Sequence, residues 1–231
     1  MAVKPFARQC LTTLYVSLCF SLHGMNPLFL VGLLVLGLYV LKIKEQRRRV
    51  VLLATHLGNF QIEKLMETLT SGYLRALGES DLVRREQIWQ LLSTSEAQLV
   101  EQFKRFSADF AKLEASQVRV SLIPVALPLA DKMFPGATFD LRRAITIHAQ
   151  GLAEACRSDT QRSNRDKAFT VSAELFLMQH TCHWFCRSKT TASARLLARH
   201  KTSHAQVVAA VGHGTRRAYE ALTQPKSRSV G

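Results

Sequence analysis

Two cysteines and two histidines near the carboxyl terminus form the one set of residues in this sequence with the spacing of a metal site. They follow the pattern Cys182-x3-Cys186-x13-His200-x3-His204, and two thiolates with two imidazoles can hold a tetrahedral zinc ion. The surrounding sequence argues against this chemistry, because the cysteines lie in a strongly helical run and not on the β-hairpin of a zinc finger. On consecutive antiparallel helices the two pairs would lie far apart. We therefore expect core packing for the cysteines, surface positions for the histidines, and no bound metal or cofactor.

Other groups capable of acid–base or nucleophilic chemistry are scattered through the same half of the chain. His148 lies near Glu154, and His183 lies beside Cys182 and Cys186. A general base or an activated thiol needs its partner within hydrogen-bond reach, which adjacency in sequence does not establish. A histidine on an apolar helix face is more typically a core residue. The sequence also contains no phosphate-binding glycine loop, no GxSxG turn and no dinucleotide-binding fingerprint, so we predict no catalytic residue.

Apolar residues recur at helical spacing along most of the chain that must position these groups. Residues 61–77 form one such segment, and Ser80 or Asp81 can cap the next. Ser95 and Gln98 match the S-x-x-Q pattern of a further helix start. The apolar residues that follow at alternating steps of four and three are Leu99, Phe103, Phe106, Phe110 and Leu113. This spacing predicts a packing seam inside a helical bundle, and hence an all-α domain.

The most apolar helix of this domain is predicted over residues 166–186. Large hydrophobic residues are distributed all around it, as expected for a helix buried in a protein core, and its polar residues make a membrane crossing costly. A buried Glu174 needs a partner, and nearby lysines and arginines are the candidates. Two shorter helices are predicted over residues 190–200 and 203–222. The second starts at Ser203 in another S-x-x-Q pattern and is interrupted at residues 212–214 (GHG).

Residues 117–136 differ from the helical segments on either side. Val118 and Val120 alternate with polar residues, and three prolines follow, which predicts an extended or strand-like connector. A boundary between two helical subdomains could fall here. Because the connector is apolar and must pack against something, we predict one helical domain over residues 50–222, followed by a disordered basic tail, residues 223–231.

The longest apolar stretch of the chain lies near its amino terminus. Residues 27–41 (PLFLVGLLVLGLYVL) carry no charge, and Tyr39 provides their only side-chain hydrogen-bonding group, so a membrane is the expected surrounding. One fitting topology is a hairpin with arms at residues 10–23 and 27–43, turning at the sequence GMNP. The other is a single tilted helix over residues 16–41. A cleaved signal peptide is disfavoured, because the stretch is too long and no small-residue cleavage site precedes the basic cluster.

Basic residues directly after this stretch predict its orientation. Lys42, Lys44 and three arginines at positions 47–49 follow it against the single acid Glu45, whereas only two basic residues precede it. Positively charged short flanks stay on the cytoplasmic side, so both topologies place the rest of the chain in the cytoplasm. Residues 1–49 are thus predicted to be an anchor in a bacterial inner membrane, with a basic cytoplasmic flank.

The net charge of +14 is concentrated in the carboxyl-terminal half, where the residues after Gly136 include 15 lysines and arginines against 6 acids. Such a surplus can bind nucleic acid, anionic lipid or acidic protein segments. No aromatic-interleaved strand motif or clear helix-turn-helix supports base reading, so sequence-specific nucleic-acid binding is disfavoured. We expect membrane lipid and acidic proteins as partners. The basic residues that can meet them are Arg142, Arg143, Arg157, Arg162, Arg165, Lys167, Arg187, Lys189, Arg195, Arg199, Lys201, Arg216 and Arg217.

Four short stretches in the basic half are similar to segments of a known class of proteins. They are residues 144–151 (AITIHAQG), residues 167–169 (KAF), residues 193–197 (SARLL) and residues 208–212 (VAAVG). With the apolar amino terminus, this layout resembles the DotM/TrbA class of inner-membrane components of type IVB secretion and conjugation machines. The resemblance implies a basic, helical cytoplasmic domain that helps to recruit acidic substrates, and no individual site residue is transferred from it.

Together these observations predict a non-enzymatic, membrane-anchored scaffold or recruiting component of a bacterial envelope complex of the secretion or conjugation type. The alternative is a membrane-associated zinc-binding protein or enzyme that uses Cys182, Cys186 and the neighbouring histidines. A third class, a membrane component that binds nucleic acid, is less favoured on the motif evidence.

Overall fold

A computed structural model describes residues 26–157 and 162–224, and most of them are in α-helices, as predicted. The chain divides into two compact units, Met1–Lys44 and Glu45–Gly231. The elements within the described residues are α1 (Pro27–Leu57), α2 (Ile62–Gly78), α3 (Leu82–Phe110), β1 (Arg119–Ser121), α4 (Ala130–Met133), β2 (Thr138–Asp140), α5 (Leu141–Cys156), α6 (Asn164–Cys186), α7 (Lys189–His200), α8 (His204–Ala210) and α9 (His213–Thr223).

The described part of the first unit is the apolar amino-terminal portion of α1. Among the described residues, α1 is the one helix long and apolar enough to cross a membrane, and none of its most apolar window is buried. Asn26 precedes the helix and caps it, since its side-chain oxygen accepts the Leu28 N–H at 3.0 Å. The described helix thus begins at Pro27, and residues 16–25 of the alternative single helix lie outside the described residues. The first arm of the predicted hairpin, residues 10–23, lies outside the described residues.

The helix α3 buries the predicted aromatic seam but does not begin where its second cap pattern indicates. Asp81 accepts the Arg84 N–H at 3.0 Å and caps the helix, as predicted, and the helix then continues unbroken to Phe110. The predicted start at Ser95 is wrong. The next residue, Glu96, lies in the buried stripe of the helix, where its carboxylate accepts the Tyr73 hydroxyl at 2.7 Å. Because buried residues lie on both sides of Ser95, it is more favourable for the helix to continue through this residue than to end there.

The helix α6 is the central helix of the second unit. It begins at the cap residue Ser163, whose side chain accepts the Asp166 N–H, and it packs against α5, α7 and α8. The prediction of a helix buried around its circumference is confirmed. Its buried residues are Ala168, Val171, Ala173, Glu174, Leu175, Leu177, Met178, His180, Thr181, Cys182, Trp184 and Phe185.

The predicted connector folds back on the core as a short antiparallel ribbon. β1 and β2 pair with Val120 opposite Phe139, and both side chains are buried. The indole N–H of Trp184 donates to the Ser121 carbonyl at 2.9 Å, so the ribbon is attached to α6. The strand-like character predicted from alternation is confirmed. At the other end of the chain, α9 ends at Thr223, one residue beyond the predicted helical limit, and the rest of the predicted tail after Gln224 lies outside the described residues.

Part of the basic cluster that follows the apolar stretch is folded into the second unit. The guanidinium of Arg49 lies 2.8 Å from Glu45 and 3.5 Å from Asp131, and it donates to the Phe185 carbonyl at 3.3 Å. Only 11% of this side chain is exposed. Arg48 also pairs with Glu45. Arg49 therefore links α1 to α4 and to the end of α6.

Candidate functional site

The two cysteines of the predicted metal spacing are packing residues of α6. Cys182 is buried with its sulfur 3.8 Å from the sulfur of Met178, and Cys186 lies half-buried at the end of the same helix. Burial raises the pKa of Cys182 to about 12 and that of Cys186 to about 11. Both are protonated at neutral pH, whereas a nucleophile or a metal ligand must be a thiolate.

The two histidines of that spacing lie elsewhere, and both are half-buried where we expected surface positions. The ring of His200 stacks on Phe176 at 3.9 Å between centroids, and that of His204 stacks on His180 at 4.1 Å. His180 and Cys182 are two residues apart on α6, which is about 200° around the helix axis, so they face opposite sides. Within residues 26–157 and 162–224, no group of three or more histidines, cysteines and carboxylates is placed to hold a metal ion.

The stacked histidines belong to a polar network that joins four helices. His180 Nε2 on α6 lies 3.1 Å from the Ser193 hydroxyl on α7, and His204 Nε2 on α8 lies 3.4 Å from the Tyr219 hydroxyl on α9. Burial lowers the pKa of His180 to about 3 and that of His204 to about 4. Both rings are therefore neutral at physiological pH, which removes the repulsion that two stacked imidazolium ions would suffer. The arrangement fits a packing contact between α6 and α8.

His148 is a core histidine, as predicted, but its partner is a side-chain hydroxyl and not the backbone. Its Nε2 lies 3.0 Å from the Thr181 hydroxyl, which is also 2.9 Å from the Leu177 carbonyl and 3.5 Å from the Tyr219 hydroxyl. Burial lowers the pKa of His148 to about 3. Glu154, the carboxylate near it in sequence, is exposed and pairs with Arg157. The two residues therefore do not form the acid–base pair that the sequence allowed.

Glu174 has a backbone partner instead of the expected basic side chain. Its Oε1 accepts the N–H of Gly212 at 3.0 Å, immediately before α9, where a carboxylate also interacts favourably with the helix dipole. Gly151 on α5 leaves the necessary room, since a Cβ there would lie 2.7 Å from Oε2. Burial raises the pKa of Glu174 to about 7, against the opposing effects of the Thr215 hydroxyl and the Gly212 amide. The buried glutamate thus holds α9 against α6.

Several of the predicted contact arginines and lysines are held by groups of the domain itself. These contacts are Arg142 with Asp140, Arg157 with Glu154, Lys167 with Glu96, Arg162 with the Ala155 carbonyl, and Arg216 with the Val208 carbonyl. Their charges are partly compensated, so they contribute less than the sequence indicated to a surface that binds a partner.

The uncompensated positive charge is concentrated on α7 and its flanks. Between Glu174 and Glu220 the sequence contains no aspartate or glutamate but seven lysines and arginines, and the structure describes this whole interval. None of the ion pairs within the described ranges involves these seven residues. Those that are exposed are Arg187, Arg195, Arg199, Lys201 and Arg217. This acid-free interval can be seen in the sequence. The charge count in the sequence analysis covered all residues after Gly136 together and therefore did not reveal it.

Two of these arginines border a cavity of about 430 Å³ between α6 and α7. Arg199 also borders a neighbouring cavity, whose lining includes Glu63 and Glu67 on α2. Arg195 and Arg199 are one helical turn apart on α7, and Gln179 and His183 on α6 also line the first cavity. Burial, with the two arginine charges, lowers the pKa of His183, so the positive charge here belongs to the arginines. Two guanidinium groups beside an opening of this size can bind a carboxylate through charge-assisted hydrogen bonds. We call the exposed basic residues 187–201, with the first cavity, the α7 basic surface.

Comparison with known proteins finds no family model, no curated protein and no solved structure that matches this chain. The chemistry of the α7 basic surface is therefore the basis for the functional interpretation.

Proposed function

We propose that this chain is a non-enzymatic recruiting component of a bacterial envelope complex of the secretion or conjugation type, anchored in the inner membrane with its helical domain in the cytoplasm. In this proposal the α7 basic surface binds acidic segments of partner proteins. The observation that carries the proposal is the acid-free interval between Glu174 and Glu220, which leaves α7 with exposed positive charge and no acid of its own to compensate it.

The contacts of the candidate catalytic groups support a role without chemistry. The thiols of Cys182 and Cys186 are protonated in the packed helix α6, and His148 and His180 are neutral and packed between helices. Glu174 binds the amide that precedes α9. Each of these groups thus has a structural role that accounts for its position.

The exposed apolar portion of α1 supports the membrane anchor. Most of the large apolar side chains from Leu28 to Ile43 are exposed in the described structure, and their transfer to hydrocarbon is favourable by about 25 cal/mol per Å² of apolar surface. A domain tethered in this way also faces an anionic leaflet, which attracts each nearby lysine or arginine by about 1 kcal/mol. Lipid therefore competes with acidic proteins for the same charges.

Exposed charges give weak individual contacts, about 0.2–1 kcal/mol for each pair. A partner must therefore engage several of them at once, as an acidic segment with consecutive carboxylates does. Because salt screens exposed charges, the affinity should fall as the ionic strength rises.

The proposal is tested with the full-length protein in detergent and a fluorescent polyglutamate peptide as the probe, by fluorescence anisotropy over a range of salt concentrations. The double substitution Arg195→Glu/Arg199→Glu should weaken binding at least tenfold at low salt. The matched control is Arg84→Glu/Arg105→Glu, which makes the same change in net charge with exposed residues of α3 and should change the affinity by less than half as much on a logarithmic scale.

Equal effects of the two double substitutions would show that only net charge matters and would overturn the assignment to α7. Binding that does not change with salt would contradict the electrostatic basis of the proposal. Tighter retention of duplex DNA than of the peptide at the same salt concentration would instead indicate a nucleic-acid-binding component.

A further inference from the structure

We propose that the loop at residues 123–134 is a membrane-contacting loop, which inserts its exposed apolar side chains into the headgroup region of the bilayer that holds α1. This inference rests on the membrane anchor of the proposed function and adds a second contact with lipid, made by the helical domain itself. The apolar side chains that make this contact are Val125, Leu127, Leu129, Met133 and Phe134.

These five apolar side chains are exposed over a short segment. Their exposed fractions range from 39% to 66%, and they lie within ten consecutive residues. Single exposed hydrophobic residues are ordinary on protein surfaces, whereas a cluster of large ones marks a contact with another apolar phase. Leu129 directly precedes the one-turn helix α4, and Met133 is the last residue of that helix.

Contacts within the second unit place this loop beside the first residues of that unit. The Pro124 carbonyl accepts the N–H and the hydroxyl of Thr190, at 3.2 and 2.9 Å. Asp131 pairs with Arg49 at 3.5 Å. Next to this site, Arg187 donates to the Gln46 side chain at 2.7 Å. The loop, the turn between α6 and α7, and the start of the unit therefore form one edge of the domain.

The chain itself keeps this edge near the apolar stretch. An extended chain spans at most about 3.6 Å for each residue, so Gln46 lies within about 7 Å of Lys44 and within about 18 Å of Leu41 in any arrangement. If residues 27–41 are in the hydrocarbon region, Gln46 and its partner Arg187 lie at or near the lipid headgroups. The adjoining loop lies within reach of the same layer.

The charges on this edge suit anionic lipid. Lys132 on the loop and Arg187 beside it are exposed, and half-buried Lys189 lies 5.0 Å above the ring of Trp184. The loop has one acid, Asp131, which is buried and paired with Arg49. Exposed positive charge with apolar side chains is the composition by which proteins bind the surface of an anionic bilayer.

The backbone of the loop is also suited to an environment with little water. The N–H groups of Lys132, Met133 and Phe134 donate within the loop to the carbonyls of Leu129 and Ala130. Two further positions of the loop, Pro124 and Pro128, have no N–H to satisfy. Unpaired amides are costly away from water, and pairing them internally lowers the cost of insertion.

The test uses full-length protein reconstituted in vesicles that contain brominated lipids, which quench tryptophan fluorescence on contact. The variant Met133→Trp places a reporter on the loop, and the wild-type protein supplies the background from Trp89 and Trp184. Leu91→Trp is the matched control, because Leu91 is 72% exposed and Met133 66% exposed and Leu91 lies on α3. Leu34→Trp reports on the anchor.

We expect brominated lipid to quench the added fluorescence of Met133→Trp by at least half of the quenching at Leu34→Trp, with no added quenching at Leu91→Trp. If Leu34→Trp is quenched but Met133→Trp behaves like Leu91→Trp, the result supports the membrane anchor and contradicts the proposed membrane contact of the loop. If neither Leu34→Trp nor Met133→Trp is quenched, the anchor itself fails, and with it the cellular placement in the proposed function.

Discussion

Among single residues, Glu174 shows most directly how burial sets chemistry in this protein. Only 1% of the residue is exposed, and one carboxylate oxygen binds the amide of Gly212, while the other has no well-aligned hydrogen-bond partner in the described part of the chain. Desolvation of the charged form outweighs the opposing effects of the Thr215 hydroxyl and the Gly212 amide, which is why burial raises the pKa of Glu174 to about 7. A group with this pKa makes stability depend on pH in the neutral range.

The variant Glu174→Gln should therefore be more resistant to alkaline conditions than the wild type. With a pKa raised from 4.5 to about 7 on folding, the wild-type residue stabilises the fold below pH 4.5, and this contribution is lost as the pH rises through 7. The loss is on the order of 3 kcal/mol. Glutamine keeps an acceptor for Gly212 and does not ionise. Urea unfolding at pH 5 and pH 8 should show that the variant gains stability relative to the wild type by about this amount.

The control for this measurement is Glu154→Gln, which removes an exposed carboxylate from α5. It should leave the difference between pH 5 and pH 8 within about 0.5 kcal/mol of the wild type, as is usual for surface substitutions. The assignment to Glu174 is contradicted if Glu174→Gln and the wild type lose the same stability between the two pH values.

At the scale of helices, two S-x-x-Q patterns with the same local sequence logic have different roles. Ser203 and Gln206 form a complete capping box at the start of α8, where the Ser203 side chain accepts the Gln206 N–H and the Gln206 side chain accepts the Ser203 N–H. Ser95 and Gln98 lie inside α3. A cap stabilises a helix only where amide groups lack intrahelical partners, which is at the end of the helix.

The substitution Ser203→Ala should lower the free energy of unfolding by about 1 kcal/mol, because it removes the cap of α8. The matched substitution Ser95→Ala should leave it unchanged or raise it by up to about 0.5 kcal/mol, since alanine has the higher propensity within a helix. Urea unfolding of the two variants in parallel measures both changes. A loss at position 95 as large as that at position 203 would show that α3 begins a new segment at Ser95.

At the scale of the whole molecule, the described part of the chain has one helix, α1, that is long and apolar enough to cross a membrane. The helix has a mean hydropathy of 1.9 over its most apolar window, of which 0% is buried. The second unit has its own core, which includes the aromatic seam of α3 and the central helix α6. The described residues of this core include none from the apolar portion of α1, residues 27–43, which is consistent with the anchor that we propose.

The double substitution Leu34→Arg/Leu38→Arg should remove the protein from membranes. An arginine at the centre of a membrane-spanning helix costs about 2.5–3.5 kcal/mol, and two such changes exceed what a short apolar segment can tolerate. Extraction of cell membranes with alkaline carbonate should leave the wild type in the pellet and release the variant. The control, Leu74→Arg/Leu91→Arg, changes two exposed leucines of the second unit and should stay in the pellet. Release of the wild type by carbonate would contradict the anchor.

The properties that the sequence determined by itself are those that depend on neighbours along the chain. Helical spacing predicted α2, α3 and α6, alternation predicted the strand β1, and an uncharged stretch predicted the apolar part of α1. These patterns succeed because the spacing of apolar residues within a short stretch of sequence shows which faces of a helix or strand are buried. The charge surplus after Gly136 is likewise a property of composition.

Only the tertiary structure decided which distant groups contact each other and whether a helix ends or continues at a given residue. Glu174 binds an amide that lies 38 residues away in the sequence, His204 stacks on His180 and not near Cys182, and Arg49 is folded among Asp131 and the end of α6. The helix α3 passes through Ser95 because both sides of that residue are buried. In each case the deciding energy comes from packing and desolvation between distant segments, which a local pattern does not contain.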